Sequence, residues 1–145
     1  MSVFTEAERA YLRDVHPLAR LARVGPDGTP HVMPIGMYTL DEATNVIDTA
    51  CRELPGTKKW RDVVRFGRAA IVVDDVLPPF SPRGIEVRGR AEVVEGPQPI
   101  IRIHPERIVA WGLDETDTMR NARDAAGHSR AAIVGGAAHD AGDAV

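Results

Sequence analysis

Residues 57–79 read TKKWRDVVRFGRAAIVVDDVLPP, and the hydrophobic period changes in the middle of them. Trp60, Val63, Val64 and Phe66 recur at helical spacing behind Thr57, and Gly67 stands where a helix of that phase would end. Residues 69–76 are then nearly continuously apolar and rich in β-branched side chains, the composition of a buried strand, until Pro78 and Pro79 stop the run. One short helix feeding a strand, in a chain otherwise made of short extended runs, predicts a mainly β fold with a single interior helix.

The pattern holds on both sides. Upstream, Thr5 and Glu8 form a capping box, and Ala7, Ala10, Tyr11 and Val15 follow at roughly helical spacing, so a short helix opens the chain. His16-Pro17 ends it, because the residue before a proline avoids the α region. Residues 18–24 and 31–40 read as strands joined by the turn Gly25-Pro26-Asp27-Gly28, and residues 46–52 alternate as a third strand. Downstream, residues 77–83 with three prolines read as a loop. Residues 85–94 form a long strand that sets Glu86, Arg88 and Arg90 against Ile85, Val87, Gly89 and Ala91. Residues 100–113 read as a last strand pair broken at His104-Pro105. Five or six short strands with one inserted helix predict a closed or partly closed β-barrel, the arrangement that removes exposed sheet edges. The domain is expected to span residues 1–113. Residues 114–145 turn to Ala, Gly and Asp; a helical pattern over 120–126 is the one ordered element expected there, in a tail that is mobile or folds over the site.

Composition narrows the function. A chain of 145 residues fits one domain, and its one cysteine, Cys51, excludes an internal disulfide framework. The start is polar and acidic where a signal peptide is basic then apolar, so a cytoplasmic protein is expected. No apolar run reaches the roughly 18 residues of a membrane span, and a formal charge of -3 offers no footprint for nucleic acid. A small molecule is the expected partner. No GxGxxG opens a helix after a strand, no GxSxG elbow is present, and the five histidines have no metal-ligand spacing with one another or with Cys51.

Charge is concentrated in one place. Residues 52–68 carry Arg52, Lys58, Lys59, Arg61, Arg65 and Arg68 against Glu53 and Asp62 only, and the two lysines are the only ones in the protein. Two readings stand. A helix N-terminus offers unpaired N–H groups and partial positive charge, so Thr57-Lys58-Lys59 makes an anion site of the size of a phosphate. The same residues also fit a solvated helix face in an arginine-rich composition.

Four stretches then recur in an order that belongs to a known family: LARLARVGPDGTPHVMPIG, TKKWRDVVRFGRAAIVVDDVLPP, PRGIEVRGRAEVVEGP and RIHPERIVAWGL. Across residues 4–113 the chain resembles the actinobacterial deazaflavin-dependent branch of the pyridoxamine 5'-phosphate oxidase-like split barrels, including the subgroup that contains dehydrotetracycline reductase. The resemblance implies a six-stranded antiparallel split β-barrel of the FMN-binding type, dimerising through its sheet, with a cofactor in each of two grooves at the interface. It implies that Thr57, Lys58 and Lys59 hold a phosphate and that Arg52 guides the side chain toward it. Met33, Pro34, Ile35 and Gly36 would line the ring, and Ala50 and Cys51 would pack beside it. Arg83 and Trp111 would close the groove, from the partner chain if not from their own, with a loop charge and plain interface core as the alternatives.

The activity implied is a reductase that transfers a hydride from reduced coenzyme F420, an 8-hydroxy-5-deazaflavin, to an electron-poor C=C or C=N bond, a tetracycline-type polyketide among the substrates. The alternatives are a flavin-, deazaflavin- or haem-binding protein without turnover, and an FMN-dependent oxidase. No catalytic residue stands out.

Overall fold

Gly67 ends the interior helix in the left-handed region (φ +67°), its N–H bonded to the Val63 carbonyl at 2.8 Å, so the change of period in the sequence is a change of structure. The computed structural model describes residues 2–114 and 121–125. Helix α1 (Glu6–Ala10) begins at the Thr5–Glu8 capping box and runs into a π-helical turn, Tyr11–Val15. Strands β1 (Ala19–Val24), β2 (Pro30–Ile35), β3 (Met37–Asp41) and β4 (Val46–Ala50) follow, then helix α2 (Lys58–Phe66). Strands β5 (Arg68–Leu77), β6 (Ser81–Val94), β7 (Ile100–Trp111) and β8 (Asn121–Asp124) complete the fold. None of the described helices is long and apolar enough to cross a membrane.

All eight strands join one antiparallel sheet in the order β2-β1-β5-β6-β7-β4-β3, with β8 also on β7. The ends of that order, β2 and β3, are separated by the single residue Gly36. Seven strands laid flat at about 4.8 Å would set those edges almost 30 Å apart, so the sheet must curl until they meet. Inside the curl lie Leu21, Ile35, Ile47, Ile71, Val73, Ile85, Ile101, Ile103 and Ile108, all buried. Helix α2 adds Trp60 and Val63 to this core and is tied to β1 by Arg23 and Asp62, a pair 8% and 3% exposed with Nε–Oδ2 at 3.2 Å.

Several expectations need correction. The extended run over 31–40 is two strands, one pairing with β1 and the other with β4, the chain passing at Gly36 from one edge of the sheet to the other. The strand count is therefore eight among the described residues. The loop expected over 77–83 contracts to a turn at 78–80: β5 and β6 stay paired out to Leu77 and Ser81, and Pro82 is tolerated because β7 pairing begins only at Gly84. His104-Pro105 does not break β7. The register shifts between Arg88 and Gly89, Glu106 bulges out, and the proline lands where no ladder N–H is required. Gly89 permits this approach, since a Cβ there would lie 1.9 Å from the His104 carbonyl oxygen.

The outward charges of β6 need no second chain. Arg88 bonds Glu86 at 3.0 Å and Arg90 bonds Glu92 at 3.0 Å, each two residues along one strand. On α2, Val64 and Phe66 face outward, leaving Trp60 and Val63 as the buried pair. Where a helix was expected over 120–126, residues 121–124 are strand β8, which occupies the part of the β7 edge that β4 leaves open. The rest of the expected tail lies outside the described residues.

Candidate cofactor and substrate site

The pairing of Met37 with Ala50 brings the start of β3 against the end of β4, and the β6–β7 connection arrives beside them. Together they form a cleft of about 450 Å³ lined by Met37, Tyr38, Thr39, Asp48, Ala50, Cys51, Gln98, Pro99 and Ile100. Its volume lies within the usual range for a small-molecule site, and its walls are mainly apolar. Asp48 is held by Arg102 through bonds of 2.8 and 3.1 Å, which also raises the Arg102 guanidinium above its ordinary value. Burial pushes the Tyr38 phenol up to about 12, and its hydroxyl donates to the Pro17 carbonyl at 2.5 Å. That phenol is not the acid of a reaction near neutrality.

Directly after this cleft the chain makes a one-turn 3-10 helix (Leu54–Gly56) and enters α2. Thr57 caps α2: its Oγ1 accepts from Trp60 N at 3.3 Å and donates to the Leu54 carbonyl at 2.6 Å. The N–H groups of Lys58 and Lys59 have no intrahelical acceptor, as at any helix start. Charge is the more specific feature here. Every other described arginine is engaged: by a carboxylate in most cases, by the Gly56 carbonyl for Arg61, by the Phe66 ring for Arg65. Arg52, Lys58 and Lys59 are the described cations with no such partner, and all three fall within eight residues. An unneutralised cluster at a helix N-terminus suits an anion.

The other site residues separate. Met33 and Pro34 are exposed on β2, Met33 at 53%, but Ile35 is 1% exposed with its side chain in the core, so only its backbone faces outward. Gly36 lies at the junction of β2 and β3, next to the cleft. Arg83 and Trp111 sit together at the far end of β7, about 30 Å of strand from the row that holds Thr49 and Ile101. Trp111 covers Gly84, where a Cβ would meet its ring at 2.7 Å. Arg83 grips Asp75 through bonds of 2.8 and 3.0 Å and lies 5.0 Å over the Tyr11 ring. Neither lines the cleft. Met37, Tyr38, Thr39, Pro99 and Ile100 do, and the sequence reading did not single them out; the alternation of residues 37–40 was the signal, but it could not name their neighbours across the sheet.

A curled antiparallel sheet whose two end strands meet at Gly36 defines a split β-barrel, and comparison with known proteins agrees. Residues 4–133 match the family model of pyridoxamine 5'-phosphate oxidase, and the chain belongs to that family. A curated relative, the 5a,11a-dehydrotetracycline/5a,11a-dehydrooxytetracycline reductase of Streptomyces rimosus, is 35% identical over 133 residues, covering 83% of this chain and 92% of the relative. Among solved structures, a conserved hypothetical protein of Mycobacterium tuberculosis aligns with a TM-score of 0.62 at 21% identity, covering 78% of this chain and 88% of its own. An FAD-binding protein of Mesorhizobium loti aligns with a TM-score of 0.57 at 18% identity, covering 72% and 92%. These two likenesses concern the fold.

Proposed function

We propose that the chain is an oxidoreductase that passes a hydride from reduced coenzyme F420 to an electron-poor C=C bond, as in a tetracycline-type enone. The observation that carries the cofactor half is the unneutralised trio Arg52, Lys58 and Lys59, which follows in the chain directly on Ala50 and Cys51 of an open, mainly apolar cleft. The substrate half rests on the name of the Streptomyces rimosus relative. A cofactor with a flat ring system and an anionic tail fits both features: the tail at the N-terminus of α2, the rings along Met37, Ala50, Cys51, Pro99 and Ile100.

When bound, a reduced deazaflavin supplies a hydride and, with carbon at the reactive position, favours two-electron chemistry. The protein's part is positioning. Lys58, Lys59 and Arg52 hold the anionic end, and the apolar wall excludes water from the ring. A second copy of the chain, bringing Arg83 and Trp111 to the open side, completes the groove in this reading.

The test is a titration of the purified chain with oxidised F420 and, separately, with FMN, followed by absorbance with reduced F420 and a dehydrotetracycline. Binding of F420 and its enone-dependent oxidation are expected. Binding of FMN alone would replace the reading with an FMN-dependent oxidase, and F420 binding without turnover would leave a carrier protein.

A further inference from the structure

We propose that His16 delivers the proton that completes the reduction, an assignment that rests on the reductase reading above. Adding hydride to one carbon of an enone pushes the π pair onto oxygen as an enolate, and the enolate must then take a proton. The Nδ1–H bond of a protonated imidazole can break to supply it, the ring keeping the electron pair and regaining a proton from solvent. No outside oxidant or reductant is needed beyond the reduced cofactor.

The placement of His16 carries the assignment. A second cleft of about 240 Å³, lined by Leu12, Arg13, His16, Tyr38, Thr39 and Leu40, shares Tyr38 and Thr39 with the larger one. His16 stacks on Tyr38 at 4.0 Å between ring centroids, with 12° between the planes. Its Nε2 lies 3.0 Å from the Tyr38 carbonyl oxygen. Donation to that carbonyl sets Nε2 as the protonated nitrogen of the neutral ring and leaves Nδ1 to gain or lose the transferable proton. Nδ1 has no partner among the described residues.

The backbone reinforces this. His16 holds φ +50°, ψ +55°, a left-handed conformation uncommon outside glycine, and the ring contacts with Tyr38 hold it there. Competing groups are spent. The Tyr38 phenol is pushed up to about 12, and His104 is bonded to Glu92 at 2.6 Å on the outside of the sheet. Arg13 is the charged residue that lines this second cleft with His16, and it bonds the carboxylates of Asp14 on the same turn and Glu42 from the β3–β4 turn.

His16→Asn separates structure from proton transfer, because asparagine accepts left-handed backbone and its amide can still donate to Tyr38. This variant is expected to bind F420 within twofold of the unaltered chain, to lose at least tenfold in kcat, and to lose the alkaline fall in kcat that titration of an acid imposes. His16→Gly should regain activity when imidazole is added. Without cofactor, tetracycline, an enolised 1,3-diketone, should shift the 15N resonances of His16 more than those of His31 and His104. Unchanged kcat and pH profile in His16→Asn, or 15N resonances of His16 unmoved by tetracycline, would overturn the assignment. Absence of turnover in the unaltered chain overturns the reductase reading itself, and this assignment with it, before any variant is made.

Discussion

Lys58 and Lys59 are where the two readings of the cationic segment part. If they hold the anionic end of the cofactor, replacing each with alanine removes a charge-assisted hydrogen bond worth about 1.5–3 kcal/mol, or roughly 10- to 150-fold in Kd. Stability should hardly change, because neither ammonium has a partner within the described protein. Fluorescence titration with F420 at low and high salt checks both parts: the affinity should fall with salt in the unaltered chain and fall much less in the Lys58→Ala, Lys59→Ala variant. Unchanged affinity would make the segment a solvated face. The residue type and order were visible in the sequence. That these two and Arg52 alone among the described cations lack a partner was not, since a partner such as Asp124 for Arg107 or Asp48 for Arg102 lies far along the chain.

Elements are joined here by a few charged contacts between distant segments. The β5–β6 hairpin is anchored to the π-helical turn by Asp75, which accepts from Tyr11 at 2.7 Å and from Arg83 at 2.8 and 3.0 Å. The Arg83 hydrogen bonds hold the Asp75 carboxyl below the usual carboxylate range, with the Tyr11 hydroxyl contributing. A carboxyl lowered on folding stabilises above the unfolded value of about 4 and loses that contribution as pH falls through its folded value. Urea unfolding of Asp75→Asn should therefore show a deficit at pH 7 that shrinks at pH 3. Strand β8 is fastened more deeply. Arg123 bonds both Glu8 oxygens, at 2.9 and 2.5 Å, and Glu8 is 2% exposed. Arg123→Ala leaves that carboxylate buried without its cation, at a cost of about 3–5 kcal/mol, and adding Glu8→Gln should recover part of it. Thermal unfolding of the two variants reads this directly; equal Tm values for Arg123→Ala and the unaltered chain would show that β8 is not held by this pair. The capping box and the Gly67 stop were legible because each depends on residues within a turn. β8 was not, because four residues, Asn121–Asp124, carry too little period to distinguish a strand from a helix, and the open stretch of β7 decided the matter.

At the scale of the whole molecule, the curl buries one face of the sheet, and apolar side chains stay exposed around the β2–β3 junction. Val32, Met33 and Met37 are 60%, 53% and 59% exposed, and Met37 lines the cleft. Water is a poor neighbour for these side chains, and a second copy of the chain is the partner that would also bring Arg83 and Trp111 toward the cleft. Sedimentation is expected to give a homodimer, and Val32→Glu with Met33→Lys to give a monomer with weaker cofactor binding. A monomeric unaltered chain, with cofactor bound, would refute this.

The sequence by itself determined what depends on near neighbours. Hydrophobic period set the strands and the one interior helix, Gly25-Pro26-Asp27-Gly28 set the first hairpin, and Thr57-Lys58-Lys59 set a cationic helix start. These are local because a turn, a cap or a charge run is formed by residues a few positions apart. The tertiary structure alone decided that residues 31–40 divide at Gly36 to join opposite ends of the sheet, and that a bulge at Glu106 carries β7 through Pro105. It also decided that Ile35 faces the core, and that Met37, Ala50 and Pro99 share a wall. Each of those outcomes is a question of register, and register is settled by which strands lie side by side, through contacts between residues up to about fifty positions apart whose pairing no local pattern encodes.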